Sequence, residues 1–216
     1  MKHIAGKRLV LSVLAAAVLA GSLAACVPLV VGGAMGGGAL VATDRRTSGI
    51  QLEDEGIELR ALSRIRGDAG DRSHVNLTSY NRQVLLTGEV GSAQDKQLIE
   101  QIVSRVENVN SIVNELAIMG NSTLTQRSSD ALVTGRVKAT LVDTKDLYAN
   151  AFKVVTERGT TYLMGRVTQR EADRATEVVR TSPGVQKVVR IFEIISEQEF
   201  ARMLPAPAPS ASPAKP

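Results

Sequence analysis

Cysteine occurs once in these 216 residues, tryptophan not at all, and tyrosine and phenylalanine three times each. A lone Cys26 cannot close a disulfide within the chain or build a cysteine-based zinc site. His74 is the only histidine beyond residue 25, so a His-rich metal centre is excluded as well. The rings of Tyr80, Tyr148, Phe152, Tyr162, Phe192 and Phe200 are too few for the stacking platforms of a single-strand nucleic-acid binder. Acidic residues are missing ahead of Cys26, where Lys2, Lys7 and Arg8 lie. Without residues 1–25, Lys+Arg falls from 26 to 23 against 22 Asp+Glu, so the net charge is +1 rather than +4. That near-neutral balance argues against a nucleic-acid partner, and the high pI belongs to the leader.

What is present begins with an export signal. Met1–Arg8 is a positive n-region and Leu9–Ala20 an apolar h-region too short to span a bilayer comfortably. Leu23-Ala24-Ala25-Cys26 follows and resembles the lipobox of bacterial lipoproteins, which implies cleavage before Cys26 and acyl and diacylglycerol groups on it. Two or more chains make such anchoring stable. Val27, where an Asp favours inner-membrane retention in enterobacterial lipoproteins, points to the outer membrane, facing the periplasm. No other cofactor is expected. Residues 1–25 therefore read as signal peptide, 26–49 as the lipidated cysteine with a flexible Gly-rich tether, and 199–216 as a disordered Pro/Ala-rich tail.

Between these ends one pattern occurs twice. Val84-Leu85-Leu86-Thr87-Gly88-Glu89-Val90 aligns with Tyr162-Leu163-Met164-Gly165-Arg166-Val167, and Val109-Asn110-Ser111-Ile112-Val113 with Val185-Gln186-Lys187-Val188-Val189. Each copy reads as an amphipathic helix and a strand (Val75–Tyr80; Lys153–Thr156). A short polar turn leads to a second strand ending at Gly88 or Gly165. A helix with a capping-box start follows, at Ser92-x-x-Asp95 or Thr168-x-x-Glu171. Its core stripe is Leu98, Ile99, Ile102, Val103 and Val106, matched by Ala172, Ala175, Val178 and Val179. A last strand, Ile112–Ile118 or Val185–Ile194, closes the unit.

The paired strands ending in Leu-x-Gly-x-Val, the capped helix and the closing Val-x-x-Val strand resemble the BON domain. Two copies behind a lipobox are similar to the dual BON-domain lipoproteins of Gram-negative outer membranes. The expected fold is α+β: two tandem αββαβ sandwiches, each with two helices on one face of a three-stranded mixed sheet. The domains run over 50–119 and 130–198, with a linker at 120–129. The first copy departs from the family pattern in having Asn108-Val109 for the usual Gly-Val. The resemblance implies no catalysis, binding of phospholipid surfaces, and support of envelope integrity under stress. Gly88 and Gly165 match its most characteristic position and read as structural, permitting positive φ or close approach of the following helix.

Catalytic constellations are weak. His74 near Ser73, Asp71 or Asp68 reads as a solvated loop residue. Glu53-Asp54-Glu55 reads as carboxylates favouring a helix start rather than as a metal site. Charge separates the repeats: 7 Lys+Arg against 11 Asp+Glu over residues 51–119, and 12 against 10 over 120–200. Helix 130–142 turns Val133, Val137 and Leu141 to the core. Leu132, Gly135, Arg136, Lys138, Ala139 and Val142 are left on other sides as the candidate contact for an anionic phospholipid membrane. In the family the Leu132 position is often aromatic, which implies shallower insertion here. The alternatives are that Leu132 packs on the first domain, and that the chain is a scaffold for outer-membrane assembly or cell-wall proteins.

Overall fold

The computed structural model describes residues 44–69 and 73–203. The leader, the lipobox with Cys26, Asp71 and residues 204–216 lie outside them. The order is α1 (Ser48–Ala69), β1 (His74–Tyr80), β2 (Gln83–Val90), α2 (Ala93–Ser104), β3 (Ser111–Asn114) and β4 (Ala117–Ile118). Then come α3 (Leu124–Asp143), a 3-10 turn (Ala149–Ala151), β5 (Phe152–Glu157), β6 (Thr160–Thr168), α4 (Gln169–Arg180), β7 (Lys187–Ile195) and α5 (Glu197–Met203). Each repeat pairs its hairpin antiparallel and its closing strand parallel to the central strand. The fold is the expected pair of α+β units. In the first repeat the closing strand breaks at Glu115-Leu116 into β3 and β4, which both pair with β2.

Alternate residues of each central strand serve different layers, as the two-residue period requires. Val84, Leu86 and Val90 join Ile57, Ala61 and Ile65 of α1 and Ile99 and Val103 of α2 in one core. Leu163 and Val167 join the stripes of α3 and α4 in the second. The opposite faces are apolar too. Tyr80, Leu85, Tyr162, Met164 and Ile191 form a third buried cluster, so the two sheets pack against each other with the helices outermost.

Both hairpins use left-handed turn residues, Asn81 (φ 51) with Arg82 (φ 63), and Arg158 (φ 52) with Gly159 (φ 73). A buried aspartate holds each turn. Asp54 accepts from the amides of Asn81 and Arg82 at 2.8 Å and from Ser79 Oγ at 2.7 Å. Asp130 accepts from the amides of Arg158 (2.8 Å) and Gly159 (3.0 Å). Asp54 is therefore not a dipole-compensating residue: α1 starts earlier, at Ser48, with no acid in its first turn.

The characteristic glycines lie inside their strands, which run on to Val90 and Thr168. Gly88 has φ +108, and a Cβ there would fall on the carbonyl oxygen of His74. Gly165 keeps an ordinary φ, and its Cβ would fall on the carbonyl oxygen of Ala151. The close approach is thus to the first residue of β1 at Gly88 and to the residue just before β5 at Gly165, not to the following helix. Asn108 takes φ 65 where its counterpart Gly184 takes φ 95, a conformation asparagine tolerates, so the replacement preserves the turn. Leu98 leaves the α2 core stripe, being 40% exposed.

Candidate functional site

Helix α3 begins at Leu124, earlier than the expected Asp130, because Thr123 and Gln126 form a reciprocal capping box. Most of the 120–129 linker is therefore helix. Asp130, Val133, Val137 and Leu141 are buried. Gly135, Arg136, Lys138 and Ala139 are exposed, and Leu132 and Val142 keep 63% and 69% of their surface open. All six predicted contact residues thus lie on the outward half of one helix, and most of Leu132 is open to solvent. Leu124, 78% exposed, extends the same face by helical spacing. The short helix assumed from sequence left it out, although Thr123-x-x-Gln126 was the available signal.

Electrostatics distinguish this face from its counterpart on α1. Among the described residues, neither Arg136 nor Lys138 has an ion-pair partner. On α1, Arg60 pairs with Glu53 at 2.6 Å, Asp54 with Arg46 at 2.8 Å and Glu58 with Lys153 at 3.8 Å. Exposed apolar groups occur on α1 as well, at Leu52 (69%) and Leu59 (72%).

His74 lies at the seam between the domains, and among the described residues it meets neither Ser73 nor Asp68. Its Nδ1 is 3.0 Å from Glu89 Oε2 and 3.4 Å from Ser122 Oγ. A nucleophile–base–acid relay needs the two partners on opposite ring nitrogens, and here both meet Nδ1. Glu89 also takes Arg158 at 3.2 Å and the Ser122 amide at 3.0 Å. Burial would raise the Glu89 carboxyl, but the hydrogen bonds from Ser122, Arg158 and His74 outweigh it and hold the group below the usual range. Glu157 goes the other way: burial raises it and the single bond from Asn76 (2.8 Å) recovers only part. His74, Glu89 and Glu157 are close enough to share a metal ion. The guanidinium already on Glu89 makes the cluster a polar joint between domains instead.

A second joint was missed because residues 44–49 read as tether. Arg45 forks onto Glu171 at 2.6 and 2.8 Å, donates to the carbonyl of Arg166 at 2.7 Å and lies 4.3 Å over the Phe200 ring. Arg46 takes Asp54 and stacks 4.2 Å over Tyr80. Burial of Glu171 would raise its carboxyl, yet Arg45 and the Thr168 amide pull it below the ordinary range. The residues from Glu199 to Met203, assigned to the tail, are helical in α5, which brings Phe200 onto Arg45. Asp44, where the described chain begins, lines a cavity with Lys138 and Val142. Asp44 therefore lies beside the end of the α3 face.

Among the described residues no helix is long and apolar enough to cross a membrane. The BON domain family model matches residues 53–120 and 129–195. The chain is 35% identical over 175 residues to "Outer membrane lipoprotein DolP" of Haemophilus influenzae, covering 80% of this chain and 90% of that one. It is 30% identical over 154 residues to "21 kDa hemolysin" of Actinobacillus pleuropneumoniae, covering 70% of this chain and 79% of the other.

Proposed function

The chain belongs to the family of BON-domain proteins, and on that footing we propose that it is a lipid-anchored outer-membrane protein facing the periplasm, a binding module rather than an enzyme. Cys26 carries the acyl and diacylglycerol groups. Helix α3 docks on anionic phospholipid through Leu132, Gly135, Arg136, Lys138, Ala139 and Val142, and the contact supports outer-membrane integrity. The observation that carries this reading is an exposed apolar stripe flanked by two cations without ion-pair partners among the described residues. Each such cation near an anionic surface contributes ~1 kcal/mol. The lipobox and the outer-membrane lipoprotein among the relatives support the placement.

Co-sedimentation of residues 43–216 with vesicles, with and without phosphatidylglycerol or cardiolipin, tests the docking face. Leu132→Glu is expected to abolish binding while circular dichroism stays that of the parent. A folded variant that still binds as the parent does would transfer the function to a protein partner. Leu52 and Leu59 on α1 favour that second reading, a scaffold for outer-membrane assembly or cell-wall proteins. Cys26→Ala is expected to leave the protein unprocessed or out of the outer-membrane fraction; normal fractionation would remove the anchor from the proposal.

A further inference from the structure

Two cavities open along the side of the sandwich where β5 lies between α1 and α3, and they meet at Val154. The first, about 490 Å³, has Leu141 and Val142 of α3 and Phe152 and Val154 of β5 as apolar walls. Asp44 and Gln51 contribute from the α1 side, and Lys138 lines it from α3. The second, about 500 Å³, continues past Ala131 and Thr134 of α3 to Leu62 and Arg66 of α1 and is more polar, with Asn76, Thr156 and Glu157 on its strand side. Ala131, Thr134, Lys138, Leu141 and Val142 follow helical spacing, so the groove runs along α3 at the border of its exposed face.

We propose that this groove receives one acyl chain of an anionic phospholipid, with the headgroup phosphate beside Lys138. The proposal rests on the reading of α3 as the docking face and adds a lipid-extracting cleft to it. Three observations select this occupant. The first cavity has a mainly apolar lining beside Asp44, Gln51, Lys138 and Asn150, and its volume lies in the range of small-ligand sites. Lys138, a cation without an ion pair among the described residues, is shared by cavity and face. The chain that leads to the anchor enters at Asp44, on the cavity itself, and an extended chain from Cys26 to Asp44 spans at most about 65 Å. The mouth of the groove is thereby kept near the leaflet that supplies the lipid.

The absence of tryptophan allows a single indole to report on the groove. Gln51→Trp places it on the α1 wall, away from the α3 face. The full-length lipidated protein in phosphatidylcholine vesicles, with phosphatidylglycerol brominated on its acyl chains, is expected to show quenching of that indole. Ala149→Phe, which fills the cavity from the 3-10 turn, is expected to restore the fluorescence while vesicle attachment persists. Native mass spectrometry of the same protein, released in mild detergent, is expected to show one retained phosphatidylglycerol. Lys138→Ala should weaken that retention about five-fold, the equivalent of ~1 kcal/mol. An indole that stays bright in the parent reporter, quenching that survives Ala149→Phe, or no retained lipid would each overturn the proposal. If sedimentation still depends on Leu132 while the reporter stays bright, the groove fails and the docking face stands.

Discussion

The two repeats share order, hairpin register and a turn-holding aspartate, and they differ in what their first helices leave for solvent. On α1, Glu53, Asp54, Glu58 and Arg60 are all engaged in ion pairs. On α3, Arg136 and Lys138 have no such partner among the described residues, and Leu132 and Val142 stand open near them. Asp54 also carries more than Asp130, for it holds Ser79 and Arg46 besides the two turn amides. The first helix of one copy is thus tied into more ion pairs than that of the other, although Glu55, Arg64 and Arg66 of α1 also have none among the described residues. The same backbone plan supports both because the turn aspartate and the core stripe need only one side of the helix.

Removing the aspartates should separate the copies most. Asp54→Ala removes the acceptor of two turn amides and of Ser79 Oγ and leaves Arg46 with Asp44 alone, and is expected to cost about 3–5 kcal/mol, the range for breaking a buried ion pair. Asp130→Ala orphans two amides alone and should cost about 2–3 kcal/mol. Urea unfolding checks both, and equal losses would show that the Arg46 and Ser79 contacts of Asp54 contribute nothing. The glycines come next. Gly88→Val adds both a left-handed strain and a collision with His74, for roughly 3 kcal/mol or more. Gly165→Val adds only the collision with Ala151, for roughly 2 kcal/mol. Melting curves that place Gly165→Val below Gly88→Val would reverse the assignment of strain to the first copy.

Smaller effects sharpen the contrast in charge. Arg136→Glu should weaken vesicle binding by roughly 2 kcal/mol, one for each unit of charge changed. The loss should shrink in 1 M salt, where screening acts within about 3 Å. A salt-independent loss would mean that the helix surface itself had been damaged. Last, Glu157 has a folded-state pKa above its ordinary 4.5, chiefly through burial. Ionising it therefore costs stability, increasingly as pH rises from that value through the folded one. Glu157→Gln is expected to melt higher than the parent at neutral pH and to lose that advantage below about pH 4.5. Glu171 carries the opposite sign: its pair with Arg45 stabilises fully above the ordinary carboxylate range and is lost as pH falls through its lowered pKa.

Sequence periodicity made the cores legible because Val133, Val137 and Leu141, or Ile99, Ile102 and Val103, repeat at helical spacing toward one side. The exposed face of α3 was legible by subtraction. The packing of sheet on sheet was not, although Val84-Leu85-Leu86 and Tyr162-Leu163-Met164 are unbroken apolar runs. Such runs mean a strand buried on both faces, and nothing local says what covers the second face. The Arg45 joint escaped for a related reason: its partners lie far along the chain, in α4 and α5, and its neighbours upstream read as linker. Asp54 and Asp130 occupy equivalent places in the two copies, so alignment of the repeats could have found the turn anchors before any coordinates.

Arg45 and Arg46 also set where force enters the molecule. Tension on the chain upstream of Asp44 meets Arg45 before it reaches α1, and Arg45 is held by Glu171 and the Arg166 carbonyl. Asp44 is also tied to Arg46, which pairs with Asp54 of α1, so the load is divided between the two domains at its point of entry. A pull at Asp44 would bear on the junction of the two domains before it could peel α1 from its sheet.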